Sequence, residues 1–153
     1  MPICTAHELP ITGALLGIDP GTKTIGLAVS DQGRVIANGI TSLHRSKFAK
    51  DAAQLFALYD SRDCVGIVLG LPVQMDGKEG ARAQSSRAFA RNLLGWRDVP
   101  IVFWDERLST AAVERMLIHA DTRRDKRKAV IDKLAAAYIL QGALDFLRTR
   151  TSP

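Results

Sequence analysis

The chain has 153 residues, of which 46% are hydrophobic and 24% charged, with a net charge of +5 and a pI near 9.6. That length can bury a substantial core, and the basic balance suits a polyanionic partner. The longest apolar runs, such as Cys64 to Pro72, are far too short to cross a bilayer. Met1 to Gly13 lacks the charged start and long apolar stretch of a secretion signal, and Cys4 and Cys64 have no ligand-like spacing, so a reduced, cytoplasmic protein without membrane contact is expected.

In chain order, residues 1–13 read as a flexible N-terminus, 14–148 as one domain without internal repeats, and 149–153 as a tail. Leu15–Asp19, Ile25–Ser30 and Val35–Thr41 alternate or run apolar between turn residues (Pro20-Gly21, then Asp31-Gln32-Gly33), which predicts three consecutive antiparallel strands. Phe48, Ala52, Leu55, Phe56 and Tyr59 recur at helical spacing, predicting a helix over 46–60. Val65–Leu69, ended by Gly70-Leu71-Pro72, is expected as a fourth strand buried on both faces. Val73–Gly80 is a polar loop, and Ala81 to Leu94 a helix burying Ala83, Phe89, Ala90 and Leu93. Pro100–Trp104 forms a fifth strand running into Asp105-Glu106-Arg107. Ser109 or Thr110 caps a short helix ending near His119, and a long helix follows over 127–148.

This order, β-β-β-α-β-α-β-α-α, predicts one mixed α/β sheet with helices on both faces. Right-handed crossovers put the first strand in the middle, with the fourth and fifth parallel to it on one side. Active sites in such sheets gather at the carboxyl ends of the parallel strands. Asp19 ends the first strand and Asp105-Glu106 the fifth, so both lie on that edge. A charge at the end of a central strand contributes little to folding, because burying a lone carboxylate is costly. On the last helix, Asp132, Ala136, Ile139, Ala143 and Phe146 form one inward stripe, which brings a third acid toward the sheet near a helix N-terminus.

Converging carboxylates repel one another and need a cation or a shared proton. An all-oxygen set suits Mg²⁺ or Mn²⁺, and two such ions can activate water and stabilise the leaving oxygen of a phosphodiester. Strand five lies two positions from strand one, roughly 10 Å away. Glu106 is long enough to lean across, whereas Asp105 points to the other face if pairing continues that far. Glu106 is therefore the expected ligand with Asp19 and Asp132, and Asp105 a supporting group. As capping or dipole-favoured acids, each of these residues also has an ordinary structural role open to it.

Around the acids, Thr22 and Lys23 offer backbone N–H groups and an ammonium to a phosphate, and Arg107 a bidentate clamp. Arg123, Arg124, Lys126, Arg127 and Lys128 form a basic run before Asp132, read as a loop that would line the approach of a nucleic acid or simply keep that surface solvated. Trp104 and Phe103 lie in a strand and are expected to pack in the core. His7, His44 and His119 have no ligand spacing.

With Ile18-Asp19-Pro20-Gly21-Thr22-Lys23-Thr24-Ile25-Gly26, Gly70-Leu71-Pro72, Asp76-Gly77, Asp105-Glu106-Arg107-Leu108-Ser109-Thr110 and Asp132-Lys133-Leu134-Ala135-Ala136-Ala137-Tyr138-Ile139-Leu140, the chain resembles the YqgF family. That family, also called RuvX or the Holliday junction resolvase family, belongs to the RNase H-like fold and is generally described as the bacterial pre-16S rRNA nuclease. The likeness runs over residues 14–147. It implies a metal-dependent endonuclease that trims the 5′ end of immature small-subunit rRNA, with Asp19, Glu106 (Asp105 beside it) and Asp132 as the acidic set and Mg²⁺ or Mn²⁺ as cofactor. Branched DNA is the alternative substrate, which would favour a homodimer over a monomer. A non-catalytic nucleic-acid-binding module is a further alternative. Asp-x-Gly-Thr after a strand is also the phosphate turn of the actin and sugar-kinase group, but those proteins enclose ATP between two such domains.

Overall fold

The first two strands are apolar along most of their length, and turn residues (Pro20-Gly21, then Asp31-Gln32-Gly33) follow each of them. The computed structural model describes residues 9–73, 76–105 and 124–151, with side chains except at 124–133 and 149–151. Its elements are β1 (Ala14–Pro20), β2 (Thr24–Ser30), β3 (Ala37–His44), α1 (Phe48–Ser61), β4 (Cys64–Leu71), α2 (Ala81–Trp96), β5 (Ile101–Asp105) and α3 (Arg124–Thr151). The strand order is β3-β2-β1-β4-β5. β1 pairs antiparallel with β2, as β2 does with β3, whereas β1–β4 and β4–β5 are parallel. This is the mixed sheet expected, with β1 central. The short helix expected from Ser109 or Thr110 lies outside the described residues.

Strand alternation sorts the core into two layers. Ala14, Leu16 and Ile18 of β1, with Ile67, Leu69 and Ile101, pack against Leu55, Phe56, Phe89 and Leu93 of α1 and α2. Leu15, Ala28, Val68 and Val102 pack on the opposite face against Ala136, Ile139, Leu140 and Leu144 of α3. Ala83, Phe89, Ala90 and Leu93 are all buried, as their spacing predicts. So are Ala136, Ile139 and Ala143 of the α3 stripe, while Phe146 stays 37% exposed. Leu9 is buried as well: its Cδ2 fills the space over Gly66, so the segment before β1 is tied to the α3 layer at that point.

Close approach of α3 to β1 depends on Gly17. A Cβ there would stand 2.8 Å from Leu140 Cβ and 3.1 Å from the Ala136 carbonyl oxygen. Only a glycine lets the helix lie this near the central strand.

β3 begins two residues later than the sequence implied and runs three further. The Asp31 carboxylate accepts hydrogen bonds from the Val35 and Ile36 amides at 2.8 and 3.0 Å, which holds both residues in the turn. Those bonds also keep the Asp31 carboxyl below its ordinary range. Arg34 completes the turn in the left-handed region (φ 58), its buried guanidinium donating to the Gly13 carbonyl at 2.7 Å. Val35 and Ile36, apolar enough to look like strand, are exposed. The α1 start is displaced similarly: Asp51 is buried and accepts from the Ser46 amide and hydroxyl, so Ser46 belongs to the junction and the helix begins at Phe48.

Candidate active site

Asp19 is the penultimate residue of β1, in register with Gly26 of β2, and is partly exposed at the carboxyl edge of the sheet. Alternation from Leu15 and Gly17 assigns it to the α3 face. The chain then turns tightly, the Gly21 amide donating to the Asp19 carbonyl at 3.1 Å. A Cβ on Gly21 would come within 2.6 Å of the Thr24 carbonyl oxygen, so a side chain is excluded there. Thr22 and Lys23 form the exposed apex, on the same edge as the Asp19 carboxylate.

β5 lies two strands from β1 with β4 between them. Its ladder continues to Leu71↔Asp105. Ile101 and Phe103 pack in the α1/α2 layer, so register assigns Asp105 to that face and Asp19 to the other. Glu106, Arg107 and Arg123 lie outside the described residues.

Asp132 stands one helical turn before Ala136 on α3; its side chain is outside the described residues. Further along, Gln141 donates to the Val35 carbonyl and accepts from the Ala37 amide, both at 2.9 Å, where β3 starts. That start pairs with Ser30, at the amino end of β1. The helix therefore advances from the Asp19 edge toward the opposite one. The turn holding Asp132 falls on the Asp19 side of the Gly17 crossing.

The basic run was expected as a loop, with the helix beginning near 127. Arg124 and Lys126 lie in α3 instead, together with Arg127 and Lys128 where the helix is expected to begin, consistent with the good helix propensity of arginine and lysine.

At the same edge, a cavity of about 260 Å³ is lined by Pro72 and Val73, which follow β4, and by Gly80, Ala81 and Arg82 at the start of α2. Among the described residues, no group of three His, Cys, Asp or Glu side chains is placed to hold a metal ion. Asp19 is the one member of the expected ligand set whose side chain is described. Its carboxylate and the all-oxygen character of the full set fit a hard divalent cation.

The aromatic residues mostly pack. Trp104 lies against Gly142 and 6.0 Å from the Phe146 ring, and Phe103 lies under the Arg87 guanidinium at 4.8 Å, which is itself paired with Glu79. Burial pushes the Cys64 thiol up to about 11, so it stays protonated and unreactive. No helix among the described residues is long and apolar enough to cross a membrane. Neither Arg45 nor Asp51 carries a motif: Arg45 acts through the Gly21 carbonyl, 24 residues away, and Asp51 through the amide and hydroxyl of Ser46, five residues away.

A family model described as "RuvX: Holliday junction resolvase" matches residues 13–146. A protein of Bradyrhizobium sp. (strain ORS 278) named "Putative pre-16S rRNA nuclease" is 61% identical over 144 residues, covering 94% of this chain and 89% of that protein. One of the same name from Rhodospirillum rubrum is 56% identical over 152 residues, covering 96% and 94%. Among solved structures, Thermus thermophilus RuvC in complex with Holliday junction substrate matches with a TM-score of 0.58 at 15% identity, covering 92% of this chain and 98% of that one. That likeness establishes a shared RNase H-like fold.

Proposed function

Because the chain belongs to the RuvX family, we propose that it is a metal-dependent endonuclease that processes the 5′ end of pre-16S rRNA. One observation carries the reading at the level of the site. Asp19 closes the central strand on the sheet face covered by α3, and the turn bearing Asp132 lies on the Asp19 side of the Gly17 crossing. Two acids distant in sequence thus belong to the same edge and the same face. Asp105 sits on the opposite face by register, which supports its role as an orienting neighbour and leaves Glu106 as the expected third ligand.

Asp19, Glu106 and Asp132 would hold Mg²⁺ or Mn²⁺, which would help activate water for attack and would offer a stabilising charge to the leaving oxygen. The chain's own groups orient the nucleic acid. The Thr22–Lys23 apex offers backbone amides and an ammonium beside Asp19, and Arg82 adds a cation where β4 ends. Arg124, Lys126, Arg127 and Lys128, on the helix that carries Asp132, would serve as phosphate contacts.

Neutralising Arg123, Arg124 and Arg127 together is expected to weaken nucleic-acid binding about equally for all sequences and to flatten its salt dependence by about one unit of slope per lost phosphate contact. Anisotropy titrations between low and moderate salt check this. Unchanged affinity at low salt would leave those side chains as solubilising groups.

Branched DNA is the second reading, favoured by the family description as a Holliday junction resolvase. Incubating the purified protein with a precursor rRNA end and with a four-way DNA junction, each with Mn²⁺, Mg²⁺ or chelator, decides between them. Metal-dependent cleavage of the RNA alone supports rRNA processing, and cleavage of the junction alone supports resolution. Binding without cleavage of either would leave a non-catalytic module.

A further inference from the structure

We infer that Arg45 is a positioning residue for the Asp19 turn, resting this on the reading of Asp19 as a catalytic ligand. The turn from β1 to β2 is short, and its carbonyl oxygens need partners from outside it. Arg45, one residue past the end of β3, meets two of them. Its Nη1 donates to the Gly21 carbonyl at 2.8 Å and its backbone amide donates to the Lys23 carbonyl at 2.9 Å. These bonds hold both flanks of Thr22 from a single residue.

The clamp is itself anchored. The Arg45 guanidinium lies over the Phe89 ring at 5.1 Å, and Phe89 is buried and packs edge-on against Phe48 at 5.9 Å. On the other side, the Ser46 amide and hydroxyl are fixed by the buried Asp51 carboxylate. A continuous set of contacts therefore runs from α1 and α2, through Arg45, to the turn that begins at the Asp19 carbonyl. The β1–β2 ladder fixes Asp19 from one side, and this clamp fixes the loop leaving it. A carboxylate that must share a metal ion needs placement to within about 0.5 Å, and misplacement of about 1 Å can cost about 100-fold in rate.

The test compares the full chain with Arg45→Met, which keeps an apolar stem over Phe89, and Arg45→Lys, which keeps a donor and a cation. Amide hydrogen exchange is measured across residues 19–24 and, as a folding control, across β4. Cleavage rate at saturating nucleic acid and affinity are measured separately. Arg45→Met is expected to exchange about tenfold faster at the Gly21 amide, which closes the turn on the Asp19 carbonyl, the change that loss of about one hydrogen bond gives, with β4 unchanged. Its cleavage rate should fall between about tenfold and 100-fold while affinity stays within about threefold, and Arg45→Lys should recover most of the rate. Unchanged exchange at Gly21 would overturn the inference. So would a loss confined to affinity, which would make Arg45 a phosphate contact, or a lysine variant no better than methionine. If the wild-type chain cuts neither RNA nor junction, the nuclease reading fails while the exchange arm still decides whether Arg45 holds the turn.

Discussion

Asp19→Asn is expected to reduce cleavage by at least about 1,000-fold while leaving the fold and nucleic-acid binding intact. The substitution is isosteric and removes only a negative charge. A divalent cation supplies several kcal/mol of transition-state stabilisation in phosphodiester hydrolysis, and about 4 kcal/mol corresponds to about 1,000-fold. The residue sits at a strand end and is partly exposed, so the core does not depend on its charge. Thr22, Lys23 and the cations of α3 remain to grip phosphates. Cleavage of a 5′-extended rRNA, a thermal melt and an anisotropy titration separate the three properties. A variant cutting within tenfold of wild type would remove Asp19 from the metal site. One that also loses affinity would mean that the carboxylate acts mainly in binding.

Architecture was legible because the physical signals were local. Pro20-Gly21 and Asp31-Gln32-Gly33 mark reversals, the apolar runs in Leu15–Asp19 and Ile25–Ser30 mark strands covered on both faces, and helical spacing in Phe48–Tyr59 marks a buried face. From these the strand order follows through crossover handedness. The face of Asp105 was legible only on the condition that pairing reached it, a condition the Leu71–Asp105 register meets.

Boundaries and clamps were not legible. Val35 and Ile36 look like strand but are held in a turn by the Asp31 side chain, a contact that overrides their β propensity. The basic run looked like a loop because charges cluster in loops, yet its residues suit a helix. Arg45 and Asp51 act through the Gly21 carbonyl and the Ser46 amide, and the former pairing spans segments 24 residues apart. Periodicity carries no trace of such contacts.

Gly17→Ala is expected to cost both stability and activity, and the two losses have one cause. The added methyl would lie 2.8 Å from Leu140 Cβ and 3.1 Å from the Ala136 carbonyl oxygen, atoms at or next to the helix backbone. Neither can swing aside as a side-chain tip could, so α3 itself must move off the sheet. Overpacking of this kind costs about 1–3 kcal/mol, and each kcal/mol lowers Tm by about 2–4 °C in a chain of this size. The same displacement carries the turn bearing Asp132 away from β1, so cleavage should fall by about tenfold or more even at temperatures where the variant is fully folded. Gly95→Ala is the control: nothing lies within 4 Å of its added Cβ near the end of α2, and it should hold or slightly raise Tm without changing the rate. Melting curves and single-turnover rates for both variants separate a general glycine effect from this contact. If Gly17→Ala melted lower yet cleaved at the wild-type rate, the approach of α3 to β1 would be a packing requirement alone, and the shared-edge argument for Asp19 and Asp132 would lose its support.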